Sequence, residues 1–239
     1  MKLNGHDFEY FDDTHTYLVD GVIVPSITQI LKYKFGKKYE GIDKDVLKRA
    51  ADVGTEVHNQ IENLCKYERL FDERHNTSDL SPNAQIITEL RNFMFLRERY
   101  KFEVLENEVP VILWNKDNRV IGAGRLDLVL KMDDKIGGAD IKRTSTLDKE
   151  YLAYQLNLYR IAYRQTYGIE WEFLRGLHLR NDVRKFVTIP IREPQIWEFL
   201  NEWEEHNETT REMDASTISP FKRKKVHSDA GTRQNAENL

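Results

Sequence analysis

The sequence predicts a mixed α/β fold of the α+β kind, with one domain over 1–215. Three observations carry that expectation. Helical and strand periodicities follow one another in the order helices, three antiparallel strands, helix, strands, helix. The 239 residues are 40% hydrophobic, enough for a sizeable core. Turn dipeptides separate the apolar runs, so the strands are joined mostly as hairpins.

An amino-terminal part over 1–35 opens with strands at 8–11 and 16–24, arranged as a hairpin around Asp20-Gly21. Ser26 and Gln29 have capping-box spacing, which predicts a short helix over 27–34. Its start is a candidate phosphate site, because the first N–H groups of a helix have no internal partner. Asp43 caps a second helix reaching about Arg69, with a break expected near Gly54. After a polar loop over 70–81, Pro82 opens a third helix, with an apolar stripe through Ile86, Leu90, Phe93, Met94 and Tyr100. Three strands follow at 102–114, 119–132 and 135–143, then a helix from about Leu147 to Tyr167, ended by Gly168. Strands at 172–180 and 184–191 flank Asn181-Asp182. These elements complete a core over 43–191, and a terminal helix covers 193–213. The tail over 216–239 is polar, basic around Arg223, and expected to be disordered.

Chemistry concentrates in the hairpin over 122–143. Side chains on a strand alternate faces, so Leu126, Leu128 and Leu130 share one face and Asp127 takes the other. Asp140 and Lys142 share a face, with Ala139 and Ile141 opposite. A turn symmetric about Asp133-Asp134 pairs Asp127 with Asp140. Facing carboxylates destabilise a sheet unless a cation neutralises them, so these residues with Lys142 suggest a divalent-metal site. Asp133-x-Lys135 has the same spacing as Asp140-x-Lys142 but belongs to the turn. Gly137-Gly138 allows another strand to approach closely.

Other candidates gather around that hairpin. His58 lies on a helical stripe with Gly54, Ile61 and Cys65; it is either a core histidine or a metal ligand. Gly54 is expected to admit another element. If the 115–118 loop is symmetric, Glu106 faces Asp127 and Glu108 faces Arg125, and either glutamate is a further metal-ligand candidate. Gln155 and Tyr159 sit one helical turn apart and suit a phosphate or a base edge. Tyr151, Tyr154 and Tyr163 read mainly as packing. Arg125, Arg143 and the basic cluster around Arg223 are candidate phosphate contacts.

Composition removes several classes. One cysteine, Cys65, rules out an internal disulfide, a four-cysteine zinc site and a four-cysteine iron–sulfur cluster. The polar amino terminus lacks a signal-peptide pattern, and no apolar run approaches the ~18 residues of a membrane helix, so a cytoplasmic protein is expected. A net charge of -4 disfavours a nucleic-acid coating protein but leaves room for a nucleic-acid enzyme, whose carboxylate site subtracts from the total.

Taken in order, Gly54-Thr55-Glu56-Val57-His58, Gly124-Arg125-Leu126-Asp127, Asp140-Ile141-Lys142 and Gln155-Leu156-Asn157-Leu158-Tyr159 resemble the PD-(D/E)XK nuclease superfamily. More narrowly they are similar to its RecB-type and phage exonuclease branch, which includes the mitochondrial genome maintenance exonuclease. The stretch from Tyr17 to Leu31 is similar to the amino-terminal part of phage-encoded members. The resemblance covers about 8–160 and departs at Leu126, where other members carry proline. It implies a restriction-endonuclease-like core, a central mixed sheet flanked by helices, and a DNA exonuclease dependent on Mg2+ or Mn2+. It also implies metal ligation by Asp127, Asp140, the Ile141 carbonyl and His58. Lys142 then acts on the attacking water or the phosphorane, and Gln155 and Tyr159 position the DNA and the lysine. No iron–sulfur cluster is implied. There is no GxxxxGK[ST] loop, so any unwinding falls to a partner: a recombinase, a single-strand-binding protein or a helicase. For a phage-encoded chain the compartment is the bacterial host cytoplasm. The alternatives are a structure-specific or restriction-like endonuclease, and a non-catalytic DNA-binding or anti-defence protein on a nuclease fold.

Overall fold

The structure, a computed structural model, describes residues 1–36, 44–67 and 84–217. The features expected at Asp43, over 70–81, at Pro82 and around Arg223 lie outside the described residues. Met1–Trp203 form one compact unit and Glu204–Leu239 a second. Among the described residues, no helix is long and apolar enough to cross a membrane.

The chain opens with four short antiparallel strands in sequence order: β1 (Lys2–Leu3), β2 (His6–Phe11), β3 (Thr16–Val19) and β4 (Val22–Val24). Asp20-Gly21 joins β3 to β4 with positive φ at both residues, the geometry whose twist matches the flanking strands. Asn4-Gly5 does the same between β1 and β2. β1 is additional to the expected strands, and its Asn-Gly dipeptide is the signal that finds it.

Helix α1 (Ile27–Phe35) starts with the capping box its sequence predicts. The Gln29 N–H donates to Ser26 Oγ at 3.1 Å, and the Ser26 N–H donates to Gln29 Oε1 at 2.8 Å. Two donors that a helix start leaves open are thereby satisfied. Helix α2 (Lys44–Tyr67) runs without the expected break at Gly54, because one glycine weakens a helix of this length without ending it. Helix α3 (Ala84–Tyr100) follows.

The second sheet has five strands in sequence order: β5 (Glu103–Trp114), β6 (Val120–Met132), β7 (Lys135–Lys142), β8 (Phe173–Arg180) and β9 (Val183–Ile189). Neighbours are antiparallel except β7 and β8, which are parallel because α4 (Lys149–Tyr167) crosses between them. Asp148 caps α4 by accepting the Glu150 and Tyr151 N–H groups, and Gly168 ends it at φ 72. Glu172 precedes β8 rather than joining it. Helix α5 (Glu193–Thr217) closes the described chain.

The result is a mixed α/β fold. One face of the larger sheet packs on α1, α4 and the first turns of α5, with Ile27, Leu126, Val129, Leu158 and Phe199 in a shared core. The other face packs on α2 and α3 through Val57, Ile61, Phe93, Leu128 and Ile141. The amino-terminal sheet adds a smaller core with Phe8, Val19, Ile112 and Trp114. A side chain on Gly137 or Gly138 would collide with Phe173 and Trp171, so the glycine pair does admit a close neighbour.

Candidate functional site

The β6–β7 hairpin has its expected register. It pairs Met132 with Lys135 and continues to Leu128 opposite Ala139. The expected next pair, Asp127 with Asp140, does not form. Instead Asp127 Oδ2 accepts the Ile141 N–H at 2.7 Å, so a side chain takes the place of a backbone partner. The alternation also slips here. Leu126 shares the α4-side core with Val129, whereas Leu128 and Leu130 pack towards α3, so the three leucines do not share one face.

The strand β5 supplies the reason. Asn107 lies opposite Leu128 and Val109 opposite Leu126, which brings Glu108 level with Asp127. Glu108 has φ 49, a left-handed conformation that costs a non-glycine residue about 1–2 kcal/mol. Both acids therefore sit where the ladder is irregular and their carboxylates leave the sheet's apolar faces. Glu106 does not face Asp127, because the register moves by two residues. The Asn115 N–H donates to the Arg119 carbonyl, making a three-residue loop, and Ile121 is then inserted between the pairs Trp114–Val120 and Leu113–Gly122. Glu106 instead accepts a 2.8 Å hydrogen bond from the Tyr163 hydroxyl. Arg125 lies opposite Pro110, and its Nε reaches Glu108 Oε2 diagonally at 2.8 Å.

His58, from α2, completes the cluster. Its Nδ1 lies 3.6 Å from Asp127 Oδ1 and 3.7 Å from Glu108 Oε1. One ligand atom from each of His58, Glu108 and Asp127 fits within 4.8 Å of the others. Burial alone would lower the imidazole pKa, but Asp127, Glu108 and Asp140 outweigh it and raise it to about 9. These carboxylates thus favour the charged imidazole, beside the Arg125 guanidinium that pairs with Glu108. His58 is a member of the polar cluster, whereas its neighbours Val57 and Ile61 fill the core.

Asp140 and Lys142 form the adjoining pair, with Nζ 2.7 Å from Oδ2. Burial pushes the Asp140 carboxyl above the ordinary range; Lys142 pulls it back and Asp127 adds to the rise. Burial likewise works against the Lys142 charge, and the Asp140 and Asp127 carboxylates more than restore it. Lys142 also lies 5.9 Å from the centre of the Tyr151 ring. In the described cluster Ile141 contributes its amide, the donor to Asp127.

Gln155 and Tyr159 reach the same place from α4. The Tyr159 hydroxyl donates to the Arg125 carbonyl at 3.0 Å, which pins β6 next to Asp127. Gly124 makes room for it, since a Cβ there would lie 2.9 Å from Tyr159 Cε1. Gln155 is 5% exposed and its Oε1 has no hydrogen-bond partner among the described residues. Arg125 packs over the Tyr10 ring, 4.6 Å from its centre. Arg143 is elsewhere, and its expected phosphate role is corrected. The two-residue period puts it on the face opposite Lys142, where it makes a two-pronged pair with the fully buried Glu89.

These residues line one cleft of about 600 Å³. It is walled by Tyr10 and Tyr17 of the amino-terminal sheet and Asp12 of its β2–β3 turn, by Ser26 and Thr28 at the start of α1, and by Gly54, Thr55, Glu56, His58 and Asn59 of α2. Glu108, Arg125, Asp127, Asp140, Lys142, Gln155 and Tyr159 complete it. The tyrosine wall has no sequence signal, because strand alternation is indifferent to what a face later meets.

No protein-family model matches the chain, and no curated protein matches it. Among solved structures the chain is similar to SSO0001, at 17% identity over 80% of this chain and 94% of that one, with a TM-score of 0.34. That score carries no residue or activity from one protein to the other.

Proposed function

We propose that the chain is a metal-dependent deoxyribonuclease of the PD-(D/E)XK kind, acting as an exonuclease on DNA. The observation that supports this best is the meeting of His58, Glu108, Asp127, Asp140 and Lys142 in one cleft, from four separate elements. Carboxylates this close cost stability unless something needs them; among the described residues Arg125 pairs with Glu108, Lys142 with Asp140, and His58 lies beside Glu108 and Asp127.

The donor set suits a hard divalent ion: two carboxylates and an imidazole within 4.8 Å, with Asp140 beside them. Asp127, Glu108 and His58 would hold Mg2+ or Mn2+, with Asp140 and the Ile141 carbonyl as further ligands. When bound, such an ion neutralises phosphate charge and acidifies a water. Among the described residues Lys142 is the one ammonium group lining the cleft, and it would hydrogen-bond the attacking water or a phosphoryl oxygen. Asp140 fixes that ammonium at 2.7 Å. Tyr159 keeps β6 in place through the Arg125 carbonyl, Gln155 has an amide oxygen with no partner among the described residues, and Arg125, lining the cleft between Glu108 and the Tyr10 ring, would meet the DNA phosphates.

The test uses end-labelled linear DNA and covalently closed circles, with Mg2+, Mn2+ or EDTA. The expected result is metal-dependent loss of the end label, with circles intact, and no cleavage by Asp140→Ala. Activity in EDTA, or an active Asp140→Ala variant, would refute the assignment. Cleavage of closed circles would make the enzyme an endonuclease instead.

A further inference from the structure

We propose that Gly54 is where the substrate strand lies against α2, a specificity-determining position one helical turn from His58. This rests on the nuclease reading above and adds the place where the sugar–phosphate backbone passes.

Gly54 is a glycine that none of the described residues requires. Gly54 is inside an uninterrupted helix, where glycine is disfavoured relative to every residue except proline. Its φ is not in the left-handed region, so the backbone makes no demand for it. Among the described residues, a Cβ at Gly54 would meet nothing within 4 Å, so no neighbouring element demands it either. Other glycines do have such reasons: Gly124 lies under Tyr159, Gly138 under Trp171, and Gly168 has positive φ. The expected close approach of another protein element at Gly54 is therefore absent among the described residues.

What Gly54 does border is the cleft. Residues four apart on a helix lie one above the other, so an occupant touching Gly54 lies about one turn, ~5–6 Å, from the residue that faces Asp127 and Glu108. Gln155 Oε1, buried on the same cleft and without a partner among the described residues, is a second sign that the space is shaped for an occupant. A polymer running past the metal cluster would cross α2 at Gly54. The missing side chain lets its sugar–phosphate chain come against the helix, and any larger residue would hold it off.

The two expected effects of filling the position have opposite signs. Gly54→Ala melts about 2–4 °C higher than wild type, because alanine favours the helix. Gly54→Leu keeps the fold, having open space to enter, but raises KM for a labelled single-stranded oligonucleotide about tenfold or more with kcat within about twofold. In a Lys142→Ala background, fluorescence anisotropy with the same oligonucleotide and Mg2+ gives the same loss of affinity. A Gly54→Leu variant with wild-type KM and affinity, in an enzyme that cuts DNA, would overturn this proposal alone. A wild-type chain that neither binds nor cuts the oligonucleotide, whether single-stranded or annealed to its complement, would overturn it together with the nuclease reading.

Discussion

Asp127 Oδ2 accepts the Ile141 amide at 2.7 Å while Oδ1 of the same carboxylate lies 3.6 Å from His58 Nδ1. One side chain thus joins β6 to β7 and faces the proposed metal position. The structural role and the chemical role use different oxygens, so they can be separated by substitution.

Asp127→Ala loses both. Leaving the buried Ile141 N–H unpaired costs about 1–3 kcal/mol, and cleavage is abolished. Asp127→Asn retains an amide oxygen for Ile141 and recovers most of that stability, yet remains inactive because the ligand charge is gone. Denaturant unfolding alongside cleavage assays checks this. Equal destabilisation by both variants would contradict it.

With His58 raised to about 9, its imidazole is protonated at neutral pH in the metal-free protein. A metal ion must displace that proton, so binding at pH 7 releases about one proton and tightens nearly tenfold per pH unit until about pH 9. Titration calorimetry in two buffers of different ionisation enthalpy measures the release. His58→Gln should bind more weakly and without it. A pH-independent affinity in wild type would refute the ligand assignment.

Arg143 and Glu89 form a buried pair on the far face of the sheet. Removing one partner strands the other charge, so Arg143→Ala should cost about 3–5 kcal/mol. The double change to Arg143→Met and Glu89→Leu should recover much of the loss. Neither change should alter the salt dependence of DNA binding in protein that remains folded, as a phosphate contact would.

Glu193 opens α5 and accepts from Arg164 and Arg160; the Arg164 hydrogen bonds are the main reason its carboxyl is held down to about 2. A depressed carboxyl stabilises the fold above its ordinary pKa, near 4.5, and that contribution fades as pH falls towards 2. Glu193→Gln should therefore be about 1 kcal/mol less stable at pH 7, given partial solvent screening. The difference from wild type should close between pH 4.5 and 2. Thermal melts across that range measure it.

What could be read in the sequence was mostly local. The Ser26–Gln29 box, the Asp133-Asp134 turn and the Gly168 stop each depend on neighbouring residues, and each occurs as expected. Register across the β5–β6 loop depends on a three-residue loop and an inserted Ile121. Neither shows in alternation, so Glu106 rather than Glu108 falls opposite Asp127 on the sequence alone. The position of Arg143 was legible, because its parity already separated it from Lys142. The helical stripe of α2 does not show that His58 meets Glu108 and Asp127, because that contact depends on how α2 packs over β5 and β6.

The central claim is that metal binding and hydrolysis share one site but use different residues. Mn2+ titration calorimetry and cleavage of end-labelled DNA, run on the same preparations of wild type, Asp127→Ala and Lys142→Ala, test it most directly. Asp127→Ala should lose both metal binding and cleavage. Lys142→Ala should bind Mn2+ within a few-fold of wild type and cut at least about a hundredfold more slowly. Cleavage by Lys142→Ala at the wild-type rate, or undiminished Mn2+ binding by Asp127→Ala, would contradict the account.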